Sequence, residues 1–332
     1  MRTDSKIPAE VPIEPLALPR LAELRATVGG RRTLRRFLRA RGDERRALTR
    51  DLIFRVAGHF TPTLAVDADG VRYHLNTADR EISRIVYIFG LYDRPLMQTA
   101  FAALARLGGP AGFDGKLLLD IGANIGTTTL TATAHFGAGG SVAVEPDPTN
   151  LRFFDLNMAA NGLTDRVTVH RAAASDRAGT LELERSDWNA GDHRVRSNGA
   201  GADPAAEVVE VPAIRIDDLV ERGELDPAGI GAVWIDVQGH EGHALAGAVK
   251  VLEAQVPVVL EYWPAGLRAA GGFELLGELI AAHYERFIDL GRPGERTSLT
   301  PQPVSELARV AERYGGADDH TDLLLLPGGL TG

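Results

Sequence analysis

The feature that most constrains this fold is a glycine-rich turn between an apolar run and a helical segment. The run covers residues 116–121, the turn reads Asp120-Ile-Gly-Ala-Asn-Ile-Gly126, and a helix is predicted over roughly 127–136. Small residues let a ligand approach the backbone, and the first turn of a helix offers unbonded N–H groups. Asn124 tolerates the left-handed conformation that a tight turn demands. This order predicts a nucleotide-type site at the carboxyl end of a buried strand, although such a turn can also serve tight packing alone.

Short apolar runs and helical segments alternate along the rest of the chain. Continuous apolar runs are typical of strands that are buried on both faces of a parallel sheet. We expect strands at 116–121, 141–144, 167–170, 180–184, 207–214, 232–237, 256–261, 286–289 and 322–326. Further helices are predicted over about 150–161 and 241–254. Repeated strand–helix units predict an α/β fold with an open, doubly wound, Rossmann-like sheet.

An acidic residue stands near the end of each of the first two predicted strands of this sheet. Glu145 ends the second strand, where a carboxylate can accept hydrogen bonds from both hydroxyls of a ribose. Asp120 precedes the turn, and Asn124 replaces the middle glycine of the G-x-G-x-x-G pattern. Asp120 would repel a pyrophosphate and attract a cationic sulfonium and amino group. The pattern therefore favours S-adenosylmethionine over NAD, and an NAD-dependent oxidoreductase stays open as an alternative.

Four ordered motifs resemble the FkbM family of class I S-adenosylmethionine-dependent methyltransferases. They lie at 119–126, 144–150, 173–176 and 234–241, with Leu-Ala-Gly following at 245–247. The resemblance covers roughly 87–327 and implies a seven-stranded sheet with one antiparallel strand near the C-terminus. It also implies methyl transfer, most often to an oxygen of a sugar or a natural-product scaffold. Gln238 stands where many members carry Glu, a difference in the predicted acceptor pocket.

The resemblance also implies the cofactor contacts by position. The glycine turn would line the methionine part of the cofactor, Glu145 would hold the ribose, and 173–176 would flank the adenine. The implied cofactor-binding residues are Asp120, Gly122, Ala123, Asn124, Gly126, Glu145, Pro146, Ala173 and Asp176.

A second group of polar residues follows the strands predicted at 232–237 and 256–261. The candidate catalytic residues are Asp236, Gln238, His240, Glu241 and Glu261. A hydroxyl acceptor must be held in line and must lose its proton, so we expect Asp236 or His240 to act as the base. Glu241 and Gln238 would orient the acceptor. Alternatively, Asp236 only positions the amino group of the cofactor and Glu241 only caps the following helix.

No metal site is predicted. His240 and His243 are three residues apart, whereas the helical zinc motif needs a spacing of four. The chain contains no cysteine, which excludes thiolate zinc sites, disulfides and a cysteine nucleophile. Magnesium bound by carboxylates stays an open alternative.

Two further segments could reach the acceptor. The aromatic pair Tyr262 and Trp263 could stack on a sugar ring, or could simply cover the core. The segment 186–204, which contains Trp188 and His193, is long enough for a lid over the site. It could equally be a hairpin tip.

The predicted domains are a flexible leader at 1–19, an extension at 20–108 and a methyltransferase domain at 109–332. The extension would hold a basic helix, a hairpin around Asp69-Gly70 and a helix up to about 107. Residues 20–50 carry eleven arginines against three acidic residues, although the net charge of the whole chain is −9. We favour a basic helix packed on the acidic body or on a second copy in a homodimer. A nucleic-acid methyltransferase that uses this helix stays open.

The remaining expectations concern partners and compartment. We expect a small-molecule or glycan acceptor rather than nucleic acid. The chain has no apolar run of about 18 residues, and its first residues lack the apolar core of a secretory signal. We therefore expect no membrane span and a cytoplasmic protein.

Overall fold

The computed structural model describes residues 39–186, 189–196, 206–292 and 298–330. The predicted leader at 1–19 and most of the arginine-rich stretch lie outside these residues. The chain divides into two compact units, 1–62 and 63–332. The first unit contains α1 (Gly42–Ala57), which has Asp43 and Glu44 in its first turn and Arg55 in its last. These charges oppose the partial charges of the helix ends and so favour the helix.

The second unit begins with a hairpin of β1 (Thr63–Ala68) and β2 (Val71–Asn76). Its turn is at Asp69-Gly70 and both residues have positive φ, as expected from the sequence. The amides of Arg72 and His74 donate to the side chains of Asn161 and Asn157, which attaches the hairpin to the body. The helices α2 (Ile82–Phe89) and α3 (Arg94–Arg106) follow. The domain boundary expected after residue 108 stays a prediction.

The remaining strands form one large and one small sheet. They are β3 (Leu117–Ile121), β4 (Gly140–Val144), β5 (Val167–His170), β6 (Ala173–Ala174), β7 (Gly179–Arg185), β8 (Arg194–Val195), β9 (Glu207–Ile214), β10 (Ile230–Ile235), β11 (Val258–Tyr262), β12 (Arg286–Gly291), β13 (Gln302–Pro303) and β14 (Thr321–Leu326). The large sheet has the order β13-β12-β14-β11-β10-β3-β4-β5, and the small sheet has the order β6-β9-β7-β8.

The order of the large sheet confirms the open, doubly wound α/β fold. The strands β5, β4, β3, β10 and β11 are parallel, and β14 is antiparallel to both of its neighbours, β11 and β12. The resemblance implies one antiparallel strand near the C-terminus, and β14 is such a strand, but the short edge strand β13 also runs antiparallel to its neighbour β12. The implied count of seven strands is one too low, because the two-residue strand β13 pairs with β12 at the edge.

Helices cover both faces of this sheet. They are α4 (Thr127–His135), α5 (Pro148–Ala160), α6 (Ile216–Glu221), α7 (Glu241–Ala246), α8 (Val249–Glu253), α9 (Pro264–Ala269), α10 (Phe273–His283) and α11 (Leu307–Arg313). Alternate residues of each central strand enter different cores, as the two-residue period of a strand requires. In β3, Leu119 packs with residues of α7 and α10, whereas Leu118 packs with residues of α3.

The segment predicted as one helix over 241–254 is two short helices, α7 and α8. The break falls at Gly247, where a Cβ atom would lie 2.0 Å from the carbonyl oxygen of Ser175. The chain therefore passes very close to the strand–loop region that follows β6, and the close approach needs a glycine. None of the helices in the described part of the chain is long and apolar enough to cross a bilayer.

Candidate functional site

A cleft of about 800 Å³, its open mouth included, lies at the carboxyl ends of β3, β4 and β10. Open α/β sheets bind their ligands at this edge. Nine of the fourteen residues that the sequence analysis proposed line the cleft, namely Gly122, Ala123, Asn124, Glu145, Pro146, Ala173, Asp236, Gln238 and His240. The cleft has two sides that are built differently. We name them the turn side (Gly122–Asn124 and Glu145) and the carboxylate side (Asp236, Gln238 and Glu261). Glu261 itself does not line the cleft, but it bonds Gln238, which does.

The turn side is shaped by backbone conformation. Gly122 has a φ of +87°, and a Cβ atom there would lie 1.9 Å from the carbonyl oxygen of Asp236. The glycine is therefore needed for the contact between the ends of β3 and β10. Asn124 has a φ of +48°, which confirms the left-handed conformation expected for it. Its backbone amide faces Glu145.

Glu145 is buried and is held by main-chain amides. Its Oε2 accepts the amide of Asn124 at 2.9 Å, and its Oε1 accepts the amide of Asp147 at 2.8 Å. Burial raises the pKa of Glu145 to about 7, although these two hydrogen bonds act in the opposite direction. The carboxylate is thus fixed in place beside the turn at the end of β4.

Three of the implied cofactor residues do not line the cleft. Asp120 is buried behind it and accepts a hydrogen bond from the Thr129 hydroxyl at 2.7 Å, while burial raises its pKa to about 7. Gly126 has a φ of +87°, and a Cβ atom there would lie 2.6 Å from Met158. Asp176 accepts a hydrogen bond from the Ser175 hydroxyl at 3.1 Å. Their contacts to a cofactor stay predictions.

The carboxylate side consists of side chains from the ends of β10 and β11. The Nε2 of Gln238 donates to Asp236 Oδ1 at 2.7 Å and to Glu261 Oε2 at 3.0 Å. The Asp236 side chain is exposed at the cleft mouth. The surrounding protein nevertheless excludes much of the bulk solvent, and this desolvation raises the pKa of Asp236. Burial, and then the charge of Asp236, raise the pKa of Glu261 well above its usual range.

Glu241 is fully buried at the start of α7 and does not line the cleft. Its Oε1 accepts the amides of Val237 at 3.0 Å and Gly239 at 3.2 Å, both in the loop that precedes the helix. Burial raises its pKa to about 7. The side chain therefore holds the 237–240 loop, and so it positions Gln238 and His240 at the cleft.

His240 lines the cleft but is engaged on its inner side. Its Nε2 lies 3.1 Å from the hydroxyl of Ser175, and its ring stacks on His243 at 4.7 Å between centroids. Burial, and then His243, lower the pKa of His240 to about 3, so the imidazole is neutral near pH 7. A base with so low a pKa is a weak proton acceptor, which favours Asp236 over His240 as the catalytic base.

Two cleft residues that sequence reasoning missed come from the loop before α3. Tyr92 and Asp93 line the cleft, and Asp93 Oδ2 accepts the Thr128 hydroxyl at 3.2 Å. Burial raises the pKa of Asp93 to about 6. Asp93 directly precedes Arg94-Pro95, and a proline in the first turn is common where a helix begins. That local signal conceals the placement of its carboxylate in the cleft.

The segment 189–196 covers the turn side. The carbonyl oxygen of Ala190 accepts the side-chain amides of Asn124 at 2.8 Å and Asn150 at 3.0 Å. His193 and Val195 also line the cleft. This segment is part of 186–204, which the sequence analysis proposed as a lid over the site, and that role stays a prediction. Trp188 lies outside the described residues.

The aromatic pair at the end of β11, Tyr262 and Trp263, does not line the cleft. Tyr262 belongs to the main core, and the Trp263 indole donates to the carbonyl oxygen of Ala317 at 2.7 Å. Arg194 lies 4.5 Å from the centroid of the Trp263 ring. These positions fit the alternative in which the two rings simply cover the core.

Comparison with known families adds a result that decides the family of this chain. The model of the FkbM methyltransferase domain matches residues 120–285, which is half of the chain. The chain belongs to the FkbM methyltransferase family. The matched residues include the turn side and the carboxylate side of the cleft, while Tyr92 and Asp93 lie before them.

Two curated relatives of this FkbM protein are similar over part of their length. The hexuronic acid methyltransferase AglP of Haloferax volcanii is 29% identical over 146 residues, which cover 44% of this chain and 55% of the relative. The 2-O-methyltransferase NoeI of Sinorhizobium fredii is 28% identical over 155 residues, which cover 44% and 63%. The chain thus spans between about half and two thirds of the length of these relatives.

Among solved structures, an FkbM methyltransferase from Methylobacillus flagellatus is 16% identical. The match covers 89% of this chain and 59% of that chain, with a TM-score of 0.42.

Proposed function

We propose that this FkbM protein transfers a methyl group from S-adenosylmethionine to a hydroxyl group of a sugar, a glycan or a natural-product scaffold. The observation that carries the proposal is that one cleft joins the turn side to the carboxylate side. The first offers a buried carboxylate beside a glycine turn, and the second offers a solvent-accessible carboxylate at a strand end. A methyl transfer needs both a cofactor site and a proton acceptor beside it.

The turn side fits a nucleoside-bearing cofactor. Glu145 would accept hydrogen bonds from the ribose hydroxyls, and Ala173 and Pro146 would offer apolar surface to an adenine ring, since all three line the cleft. When bound, the cofactor supplies an electrophilic methyl group on its sulfonium. The positive charge of that group matches a cleft lined by Asp93, Glu145 and Asp236.

The carboxylate side fits a neutral hydroxyl acceptor. As the new oxygen–carbon bond forms and the sulfur–carbon bond breaks, the hydroxyl proton passes to the Asp236 carboxylate. The raised pKa of Asp236 makes it a better proton acceptor than an ordinary aspartate. Gln238 holds Asp236 through its amide, so it acts as a positioning residue. The name of AglP supports a sugar acceptor, and the name of NoeI supports transfer to an oxygen.

Calorimetric titration of the protein with S-adenosylmethionine, S-adenosylhomocysteine and NAD tests the cofactor. We expect roughly micromolar binding of the two sulfur nucleosides and none of NAD. Glu145→Ala should weaken that binding by about 100-fold, since a charge-assisted contact is lost. Glu274→Ala, at an exposed position of α10, should bind as the wild type does. Thermal melts of both variants separate lost contacts from lost folding.

Binding of NAD alone would overturn the methyltransferase proposal. If the sulfur nucleosides bind, a screen of sugars and hydroxylated metabolites follows, with transfer of a labelled methyl group as the readout. Labelled product with Asp236→Asn at the wild-type rate would exclude Asp236 as the base. Methylation of amines but not of hydroxyls would overturn the assignment of the acceptor.

A further inference from the structure

The two acids of the carboxylate side, Asp236 and Glu261, cluster with a third, Glu241. Asp236, Glu261 and Glu241 each place a carboxylate oxygen within 4.8 Å of the other two. They come from the end of β10, from β11 and from the start of α7. Oxygen atoms at such separations can all contact one small cation, because oxygen–metal distances are about 2.0 to 2.6 Å.

A second observation comes from the buried carboxylate of this group. Glu241 is 0% exposed, and its Oε1 is used by the amides of Val237 and Gly239. Its other oxygen, Oε2, is buried and has no hydrogen-bond partner within the described part of the chain. A buried acceptor without a donor is costly, and natural proteins rarely leave one without a ligand or an ion. Oε2 is therefore the oxygen of Glu241 that is free for a cation.

The side-chain amide of Gln238 lies between the two other carboxylates. Its Nε2 donates to Asp236 at 2.7 Å and to Glu261 at 3.0 Å, so the partly positive NH₂ group holds the two acids together. Gln238 does this from a left-handed backbone conformation, with a φ of +53°, which costs energy in a residue other than glycine. An amide is neutral, however, and it leaves the net charge of the three carboxylates unchanged.

We propose that Asp236, Glu261 and Glu241 bind one divalent cation of the Mg²⁺ or Mn²⁺ class, a site that the amide of Gln238 closes when no ion is bound. All three ligands are carboxylate oxygens, the set that these hard cations prefer. The nearby histidines lie outside this cluster of acids, and the Nε2 of each is engaged, His240 with Ser175 and His243 with the Ala270 carbonyl. A turn of the Gln238 side chain would bring its amide oxygen toward the ion as a fourth ligand.

The position of this site indicates the ligand that the ion would take. Asp236 lines the cleft, so open coordination positions of the ion would face the acceptor. Two adjacent oxygens, as in a vicinal diol, would complete the coordination, and the ion would favour the deprotonated hydroxyl. This catalytic role rests on the proposed function, whereas binding of the ion does not.

Titration of the full chain with MnCl₂ tests the site directly, without cofactor or acceptor, at about pH 8, where proton competition is weak. We expect calorimetry and the loss of the free-Mn²⁺ electron paramagnetic resonance signal to show one ion per chain. Asp236→Asn and Glu261→Gln should each weaken binding by about tenfold or more. Asp322→Asn is the matched control, since Asp322 pairs with Glu261 in the strand register but is not one of the three clustered acids. It should weaken binding by about threefold or less.

Gln238→Glu provides a second test that does not depend on loss of binding. The variant adds a fourth carboxylate, so it should melt at a lower temperature than the wild type without metal and gain more from MnCl₂. Absence of binding at about 10 mM Mn²⁺, above the range of weak oxygen-ligand sites, would overturn the proposal. Equal losses in Asp236→Asn and Asp322→Asn would also overturn it, since they would indicate only a diffuse field. Titration with S-adenosylmethionine in the absence of metal reports separately on the proposed function.

Discussion

The two sides of the cleft hold their carboxylates in different ways. On the turn side, Glu145 accepts two main-chain amides that local backbone geometry supplies. On the carboxylate side, Asp236 and Glu261 share one side-chain amide of Gln238 and lie close to each other. Both regions are at the carboxyl ends of neighbouring strands, but two main-chain amides hold the acid of the turn side, whereas a side-chain amide joins the two acids of the carboxylate side.

This difference indicates how each side would respond to a ligand. The backbone of the turn side is already oriented, so binding a polar ligand there should cost little free energy of reorganisation. The carboxylate side contains like charges, and a cation or a positively charged ligand would relieve their repulsion. The turn side should therefore be sensitive to changes of shape, and the carboxylate side to changes of charge.

The largest expected effect comes from breaking the contact that joins the two sides. In Gly122→Ala, a Cβ atom would lie 1.9 Å from the carbonyl oxygen of Asp236, at a φ of +87°. The ends of β3 and β10 would have to separate, so we expect a loss of about 3 kcal/mol or more in the free energy of unfolding. Urea denaturation measures this loss.

Gly115→Ala is the control for Gly122→Ala. Gly115 has a similar φ of +81°, but nothing lies within 4 Å of the Cβ position. It should cost only the backbone strain, about 1 to 2 kcal/mol. Equal losses for the two variants would show that strain, and not the contact of the strand ends, makes Gly122 necessary.

The second prediction compares the same substitution on the two sides. Each carboxylate oxygen of Glu145 accepts a hydrogen bond from a main-chain amide. In Glu145→Gln, the side-chain NH₂ group would face one of these donors, so the free energy of unfolding should fall by about 1 to 3 kcal/mol. Glu261→Gln removes one of several repelling charges and keeps the size of the side chain, so stability should be unchanged or higher near pH 8. Chemical denaturation of both variants checks the signs. A fall of similar size in both would contradict the comparison.

Sequence reasoning worked best where local geometry decides the structure. The left-handed Asn124, the turn of the first hairpin, Glu145 at the end of β4 and the doubly wound order all follow from patterns within a few residues. The same local reasoning failed at Gly247, where the approach of a distant segment, at Ser175, breaks the predicted helix. Glycine was visible in the sequence, but its contact was not.

Sequence reasoning was weakest where tertiary packing brings separate segments together. Asp93 reaches the cleft from the loop before α3, and nothing in the sequence near it indicates this. The sequence suggested the segment that contains Ala190 as a lid or a hairpin tip, but it could not show the contact between Ala190 and Asn124. The sequence placed His240 among the candidate bases, but it could not show that burial, and then the stacked His243, lower the pKa of His240, or that its Nε2 bonds Ser175. Burial and partners decide such roles, and both depend on the complete fold.

The third prediction is an unusual dependence of stability on pH. Asp120, Glu145 and Glu241 have pKa values of about 7 in the folded protein, well above those of an unfolded chain. The folded state then keeps protons that the unfolded state has lost, so stability falls as the pH rises toward and through 7. Buried histidines such as His240, with lowered pKa values, act in the opposite direction, but only below about pH 6.5.

The window in which only the carboxylates act lies between about pH 6.5 and 8. Urea denaturation across it should show a falling free energy of unfolding, with a smaller slope in Asp120→Asn. Asp155→Asn, at an exposed ion pair with Arg171, should leave the slope unchanged. A flat or rising profile in the wild type would contradict the raised pKa values.

The smallest expected effect concerns the segment that covers the turn side. Asn124→Gly keeps the left-handed backbone conformation and removes two side-chain bonds, the one from Asn124 to the Ala190 carbonyl and the one that Asn124 Oδ1 accepts from the adjacent amide of Ile125. The bond from Asn150 to the Ala190 carbonyl remains. The free energy of unfolding should fall by less than about 1 kcal/mol. Amides of 190–192 should nevertheless exchange with deuterium several-fold faster, because local opening needs fewer broken contacts. The amide of Leu181, in β7, is the internal reference, since Leu181 pairs with Val211 of β9 and this pairing does not involve Asn124. If exchange at 190–192 and at Leu181 increased equally, the substitution would have loosened the whole unit. The covering segment would then not be held by the turn, and the rigidity of the turn side would have to come from Glu145 alone.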